Sequence, residues 1–217
     1  MSTGELLSRW SAGQDGLHLV PVPLAPEIRL HVAADAVVLW ARMEAEAGTA
    51  LVAPFWASAW LGGQALARFL LDHPQTVAGR RVLDLASGSG LVAIAASLAG
   101  AATVAAIDID HHAVAAIEMN AKANAVEIAV RCVSMSDDDT EADVVLVGDA
   151  FYTTSMAETV LPVLERARER GAQVLVGDPG RDGLPHDRLQ VLATYSAAPA
   201  AAAVDAQVQW VLVLQLA

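Results

Sequence analysis

Val82-Leu83-Asp84-Leu85-Ala86-Ser87-Gly88-Ser89-Gly90, followed eighteen residues later by Asp108, decides how the chain is read. Val82 to Leu85 is a short apolar run of the kind a buried parallel strand needs, and Gly88 and Gly90 break it into a tight turn. The alanine-rich stretch Leu91 to Leu98 reads as a helix, and Thr103 to Ile107 as a second strand that delivers Asp108. Strand, glycine turn, helix and strand make a βαβ unit. Its turn lies at the carboxyl end of the first strand, where open α/β sheets take nucleotide-like ligands. Glycine lets the backbone approach a ligand closely, and a carboxylate at the second strand's end can accept both hydroxyls of a ribose.

The glycines alone do not name the ligand, because Gly88-Ser89-Gly90-Leu91-Val92-Ala93 also satisfies the dinucleotide pattern G-x-G-x-x-G/A. Asp84 tips the balance. A dinucleotide pyrophosphate sits at the helix N-terminus, and a carboxylate leading into the turn would repel it. S-adenosylmethionine has no phosphate and carries a sulfonium and an ammonium, which a carboxylate and loop carbonyls attract. Asp84, Ser87, Gly88, Gly90 and Asp108 are therefore expected to bind S-adenosylmethionine. A glycine turn in an α/β protein without a ligand is the plainer alternative.

At 217 residues the chain suits one α/β domain, expected to run over 1–217. Residues 1–75 would form an N-terminal cap and lid, and 76–217 the cofactor-binding core. With 25 Asp and Glu against 13 Lys and Arg, the surface would repel a nucleic-acid backbone and welcome a basic protein segment. The run Asp137-Asp138-Asp139 reads as a solvated loop, and Lys122, the only lysine, as a product of arginine- and alanine-rich composition. A single cysteine, Cys132, excludes a disulfide framework and a cysteine zinc site, and is expected in a buried strand. The histidines show no metal-ligand spacing with carboxylates, so no metal is expected. Met1 to Trp10 carries Glu5 and Arg9 and lacks the apolar core of a leader. The uncharged stretch Leu91 to Ile107 is broken by Gly100 and reads as helix, turn and strand rather than a membrane span. A soluble, cytoplasmic monomer is the expectation.

Elsewhere, Leu17 to Pro23 reads as an edge strand because its prolines exclude a central one, and Ala33 to Ala45 and Gly62 to Leu71 read as helices. Between those helices, Phe55, Trp56 and Trp60 crowd into six residues ahead of Gly62-Gly63, a pair that could allow backbone movement. The cluster either packs the cap or lines a ligand mouth. After Asp108 the pattern predicts a helix over Ala113 to Asn124 and strands over Glu127 to Val133 and Ala142 to Gly148. A helix over Met156 to Arg170 and a strand over Gln173 to Gly177 follow. Leu189 to Ser196 and Gln207 to Gln215 are two closing strands with an antiparallel pairing, joined across Ala197 to Ala203. The fold class is α/β: a Rossmann-like, doubly wound, seven-stranded and mostly parallel sheet with an antiparallel C-terminal strand and an N-terminal helical cap. Asp84, Asp108, Asp149 and Asp178 all fall at carboxyl ends of parallel strands, on one expected rim.

Four segments carry a resemblance to a known family. They are Ala25-Pro26-Glu27-Ile28-Arg29-Leu30; Pro54 to Leu71; Asp84 to Gly90; and Gly148-Asp149-Ala150-Phe151-Tyr152 together with Gly177-Asp178-Pro179-Gly180-Arg181. In these the chain resembles the class I, seven-stranded S-adenosylmethionine-dependent methyltransferases. More narrowly, it is similar to the lysine methyltransferases of the electron transfer flavoprotein β subunit. Asp149 to Tyr152 matches the D-x-x-Y signature of that group; Ser87 and Ser89 depart from it, standing where relatives often have glycine and cysteine. The resemblance implies methyl transfer from S-adenosylmethionine to lysines of a protein substrate, the electron transfer flavoprotein β subunit. It implies catalytic roles for Asp149 and Tyr152, and adds Trp56 and Asp149 to the cofactor-binding set. Asp149 would hold the target amine and Tyr152 pack against the lysine stem; alternatively, Asp149 caps a helix starting near Ser155. Three other functions stay open: a small-molecule methyltransferase, an NAD-dependent oxidoreductase, and a binding module that has lost its chemistry.

Overall fold

Successive side chains of a strand point to opposite faces, and the apolar strands of this chain serve two cores in that way. In the run Arg81–Leu85, Val82 enters one core while Leu83 and Leu85 enter the other; Val144–Gly148 alternates likewise, Val144 and Leu146 against Val145 and Val147. The computed structural model describes residues 16–138, 140–197 and 209–217. The expected strand start at Gln207, most of the Ala197 to Ala203 connection, Asp139 and the Met1 to Trp10 segment lie outside the described residues.

The chain runs β1 (Leu17–Pro21), β2 (Arg29–Ala33), α1 (Ala36–Ala47), α2 (Leu61–Asp72), β3 (Arg81–Leu85), α3 (Leu91–Leu98), β4 (Thr103–Asp108) and α4 (His111–Ala123). It continues with β5 (Ala129–Cys132), β6 (Val144–Gly148), α5 (Thr154–Glu169), β7 (Gln173–Asp178), β8 (Leu189–Ala197) and β9 (Gln209–Leu216). β3 to β9 form one seven-stranded sheet in the order β5-β4-β3-β6-β7-β9-β8. β9 runs antiparallel to both neighbours, and the other pairings are parallel. The expected sheet, with its antiparallel C-terminal strand, is the one observed. β3 lies between β4 and β6, so the chain leaves it in opposite directions and opens a crevice beyond its carboxyl end.

Helices α2, α3 and α4 cover one face through Leu66, Leu70, Ile94 and Ile117, and α5 covers the other through Val160 and Leu164. α2 belongs by position to the expected cap, yet it packs directly on β7 and β9 as a layer of the fold. The cap is helical only in part. Leu17 to Pro21 is a strand, but in a separate antiparallel ribbon with β2 rather than at the edge of the main sheet. The open edge of that ribbon is closed by α4, where Asn124 Oδ1 accepts the Arg29 N–H at 2.9 Å and Asn120 Oδ1 the His31 N–H at 2.8 Å. Asn120, wholly buried, also donates to the Ser89 carbonyl at 2.8 Å and so ties the ribbon to the glycine turn.

Helix starts shift by a few residues from the sequence pattern because of where the caps sit: Asp35 accepts the N–H groups of Val37 and Val38 and starts α1 later than expected, and Thr153 accepts that of Met156 and starts α5 earlier. Cys132 departs from expectation. It is exposed, because β5 is the outermost strand of its edge of the sheet. The stretch from Leu91 to Ile107 divides into α3 and β4 about Gly100, and among the described residues no helix is long and apolar enough to cross a membrane.

Candidate active site

The turn after β3 is built from left-handed residues. Ala86, Gly88 and Gly90 have φ of 51°, 56° and 82°, and the chain reverses between strand and helix within that span. Asp84, buried at the end of β3, fastens the turn from below: its Oδ2 accepts the Ser87 hydroxyl at 2.5 Å and the Ala93 N–H of α3 at 3.1 Å. Burial pushes the Asp84 carboxyl up to about 7, against the pull of those two hydrogen bonds, and Asp108 adds to the rise. Asp108, at the end of β4, accepts the Gly88 N–H at 2.9 Å and the Asp110 N–H at 3.0 Å. Its carboxyl is also raised by burial. Each Asp108 oxygen thus has one backbone partner and a further lone pair for a ligand hydroxyl.

β6 and β7 end in a second acidic cluster, positioned by glycines. Gly62 and Gly63, in the first turn of α2, lie against Gly177 of β7 and Gly148 of β6. A Cβ on Gly62 would stand 2.2 Å from the Gly177 carbonyl oxygen, and one on Gly148 3.0 Å from the Gly63 Cα. These glycines permit close backbone packing, and the Gly62-Gly63 pair lies directly against β7 and β6 in this structure. α2 has no side-chain cap of its own at Trp60. Asp149, φ 57°, supplies one from across the sheet: its Oδ2 accepts the Gly63 N–H at 2.7 Å. Its Oδ1 forms an ion pair with Arg181 Nη2 at 2.8 Å, and Arg181 Nη1 pairs with Asp178 Oδ2 at 2.9 Å. Burial raises the Asp149 carboxyl, opposed by the Gly63 N–H and by Arg181. Asp149 therefore caps a helix, but α2; the cap of the helix near Ser155 is Thr153.

Aromatic residues frame the opening. Phe55, Trp60 and Tyr152 are each about half exposed, and the Phe55 ring centroid lies 6.0 Å from that of Trp60 and 6.1 Å from that of Tyr152. Trp60 Nε1 donates to the Phe55 carbonyl at 2.7 Å and fixes the pair. Trp56 is buried instead, its ring stacked on His112 at 6.5 Å.

A cleft of about 380 Å³ joins these parts, beyond the carboxyl ends of β3, β4 and β6. Trp56, Asp84, Ser87, Gly88, Asp108, Asp149 and Tyr152 all line it. Gly90 does not; it shapes the turn beneath, where a Cβ would meet Ile117 at 3.1 Å. Asp178 is wholly buried behind the rim and reaches the cleft only through Arg181. Arg181 had no role in the sequence pattern, although a buried acid demands a cation and Arg181 stands three residues after it. The Gly63 N–H left no sequence signal, being backbone. Charged lining groups are Asp84, Asp108, Asp110 and Asp149 against one guanidinium, Arg181. A pyrophosphate fits that set poorly, and a cationic, ribose-bearing ligand fits it well.

Comparison with known proteins follows the same lines. Residues 65–169 match the family described as ribosomal protein L11 methyltransferase (PrmA). Over 181 residues the chain is 40% identical to the electron transfer flavoprotein beta subunit lysine methyltransferase of Xenopus laevis, covering 80% of this chain and 73% of that protein. The chain belongs to the electron transfer flavoprotein beta subunit lysine methyltransferase family. The Danio rerio member is 46% identical over 132 residues, which cover 59% of this chain and 51% of that protein, so the chain spans about half the length of this relative. Among solved structures, the ribosomal protein L11 methylase of Lactobacillus delbrueckii subsp. bulgaricus matches with a TM-score of 0.52 and 24% identity, over 73% of this chain and 80% of that one. The magnesium protoporphyrin IX methyltransferase of Synechocystis PCC 6803 with bound SAM matches with a TM-score of 0.53 and 14% identity, over 71% and 78%. For this member of the lysine methyltransferase family, those two likenesses establish a methyltransferase fold.

Proposed function

We propose that the chain is a protein-lysine N-methyltransferase that moves a methyl group from S-adenosylmethionine to lysine side chains of the electron transfer flavoprotein β subunit. The observation that carries this reading is the placement of Asp149. It lines the same cleft as Asp84 and Asp108, beneath an opening framed by Phe55, Trp60 and Tyr152. Asp108 would accept the ribose hydroxyls, while Asp84, Ser87, Gly88 and Trp56 would hold the rest of the cofactor. When bound, the sulfonium supplies an electrophilic methyl for in-line displacement.

The protein's task is then to align a neutral amine and exclude water. Deprotonating a lysine of ordinary pKa near 10.4 at pH 7.4 costs about 4 kcal/mol. Desolvation in the cleft and the neighbouring positive charge of the cofactor lower that cost. Asp149 would accept an N–H of the amine and Tyr152 would pack on the lysine stem. A net charge of −12 supports a basic segment of a protein as the acceptor rather than a nucleic acid. We further propose that residues 1–217 act as one cytoplasmic, monomeric methyltransferase unit. The packing of Ile28 and Leu30 into the same core as Val82 and Val144 supports the single unit.

Incubation with tritiated S-adenosylmethionine and a lysate from cells lacking the gene tests the activity. One labelled band of electron transfer flavoprotein β size, with the label mapped to lysine, is the expected result. Absence of transfer to that protein, purified and in excess, would refute the substrate.

A further inference from the structure

Asp149 holds a left-handed backbone conformation, φ 57°, that a non-glycine residue keeps only when its surroundings impose it. Three ties do so. Its N–H donates to the Gly177 carbonyl at 2.8 Å, its Oδ2 accepts the Gly63 N–H at 2.7 Å, and its Oδ1 meets Arg181 Nη2 at 2.8 Å. Of these, only Arg181 brings a charge. The guanidinium is itself anchored, because Asp178 Oδ2 takes its Nη1 at 2.9 Å. Asp178 Oδ1 accepts the N–H groups of Gly180 and Arg181, both at 2.8 Å. One buried carboxylate thus shapes the turn and aims the arginine.

Resting on the reading of Asp149 as acceptor for the target amine, we propose that Arg181 is a positioning residue. Its planar fork bridges Asp149 to Asp178, keeps the Asp149 carboxylate ionised inside the cleft, and holds it where the amine arrives. A protonated Asp149 would keep only its carbonyl oxygen as a ready acceptor, and its O–H would donate to the amine lone pair that must attack the methyl. Burial favours that protonated form, and so does the nearby Asp178; the Gly63 N–H and Arg181 oppose it. Asp84, Asp108 and Asp110 are the other charged groups lining the cleft. Arginine suits the role better than lysine, since its planar guanidinium holds two nitrogens at a fixed separation, one against each carboxylate, where an ammonium is a point charge on a flexible stem.

The test compares wild type, Arg181→Gln and Arg181→Lys with electron transfer flavoprotein β subunit as acceptor at saturating S-adenosylmethionine. Saturation keeps the titration of Asp84 in the free protein out of the profile. Arg181→Gln is expected to lower kcat tenfold or more, with S-adenosylhomocysteine affinity within about twofold of wild type. The acid limb of its kcat profile should move up by about one pH unit, the lower end of the effect of an opposite charge at this range. Arg181→Lys should restore most of the limb while kcat stays several-fold low. A merely structural arginine would shift the melting temperature and leave the limb in place, and that result overturns the proposal. If Arg181→Gln does not fold, a folded Arg181→Lys protein with wild-type kcat overturns it equally. Wild-type protein that transfers no methyl at all would overturn both this inference and the activity it rests on. Transfer that survives Arg181→Gln unchanged counts against the positioning role alone.

Discussion

Asp149→Asn separates the proposed acceptor role of Asp149 from its part in the architecture. Asparagine keeps a carbonyl oxygen for the Gly63 N–H, now at 2.7 Å, and tolerates the left-handed backbone at φ 57°. What it loses is the charge facing Arg181. A hydrogen bond to a charged group contributes about 1.5–3 kcal/mol. Part of that is offset, because burial already disfavours the ionised Asp149 and Arg181 keeps its partner Asp178. The net destabilisation should be about 1–2 kcal/mol, which in a chain of this size lowers the melting temperature by roughly 2–8 °C. Alanine would be a poorer probe. It also removes the α2 cap, at about 1 kcal/mol, and places a Cβ-bearing residue without local hydrogen bonding in the left-handed region at about 1–2 kcal/mol. Turnover of the asparagine variant should fall roughly 10²-fold or more, as expected when a charged group that orients the nucleophile is lost. Tritium transfer measures that rate, thermal melting the fold, and calorimetry with S-adenosylhomocysteine the cofactor site. A folded variant that binds S-adenosylhomocysteine normally and turns over within about threefold of wild type would refute the catalytic role.

Asp84, with its carboxyl pushed up to about 7, should couple cofactor binding to pH. A ligand ammonium favours the ionised form, so S-adenosylhomocysteine affinity should rise roughly fivefold to tenfold between pH 6 and pH 8, with a proton released on binding. Calorimetry in buffers of different ionisation heat checks this, and a flat profile would count against Asp84 facing the cation. The same raised carboxyl predicts that the unliganded protein loses stability as pH climbs from about 4 to 7, since the folded state retains a proton the unfolded chain has released. Gly177→Ala would place a Cβ 2.1 Å from the Gly62 carbonyl oxygen, which is backbone and cannot swing aside. A loss of about 1–3 kcal/mol is expected, with turnover falling because Gly63 and Asp149 move together. Phe55→Ala should raise KM for the protein substrate several-fold and leave S-adenosylhomocysteine affinity alone. Equal losses in both would assign Phe55 to the cofactor instead.

The sequence by itself determined the sheet and the side of the cleft that Asp84 and Asp108 form. Short apolar runs such as Val82 to Leu85, closed by a glycine turn, read as buried strands, and the spacing from Gly88 to Asp108 is local enough for one βαβ unit to specify both ends of a pocket. Asp149 and Tyr152 were legible as a motif through the resemblance, whose D-x-x-Y signature they match. The tertiary structure decided what depends on distant partners. Asp149 reaches Gly63, 86 residues away in the chain, and no local pattern distinguishes a cap for α2 from a cap for the following helix. Gly62 and Gly63 looked like a hinge because glycine is permissive on its own. Only the approach of Gly177 leaves no room for a side chain at Gly62, whereas a Cβ at Gly63 would meet nothing nearer than 3.6 Å. Cys132 looked buried because strand patterns do not say which strand lies at an edge, and Arg181 had no assignable role until Asp149 and Asp178 were brought to either side of it. Periodicity and short spacings are written along the chain; pairing between charges and close backbone approach are properties of the packed molecule.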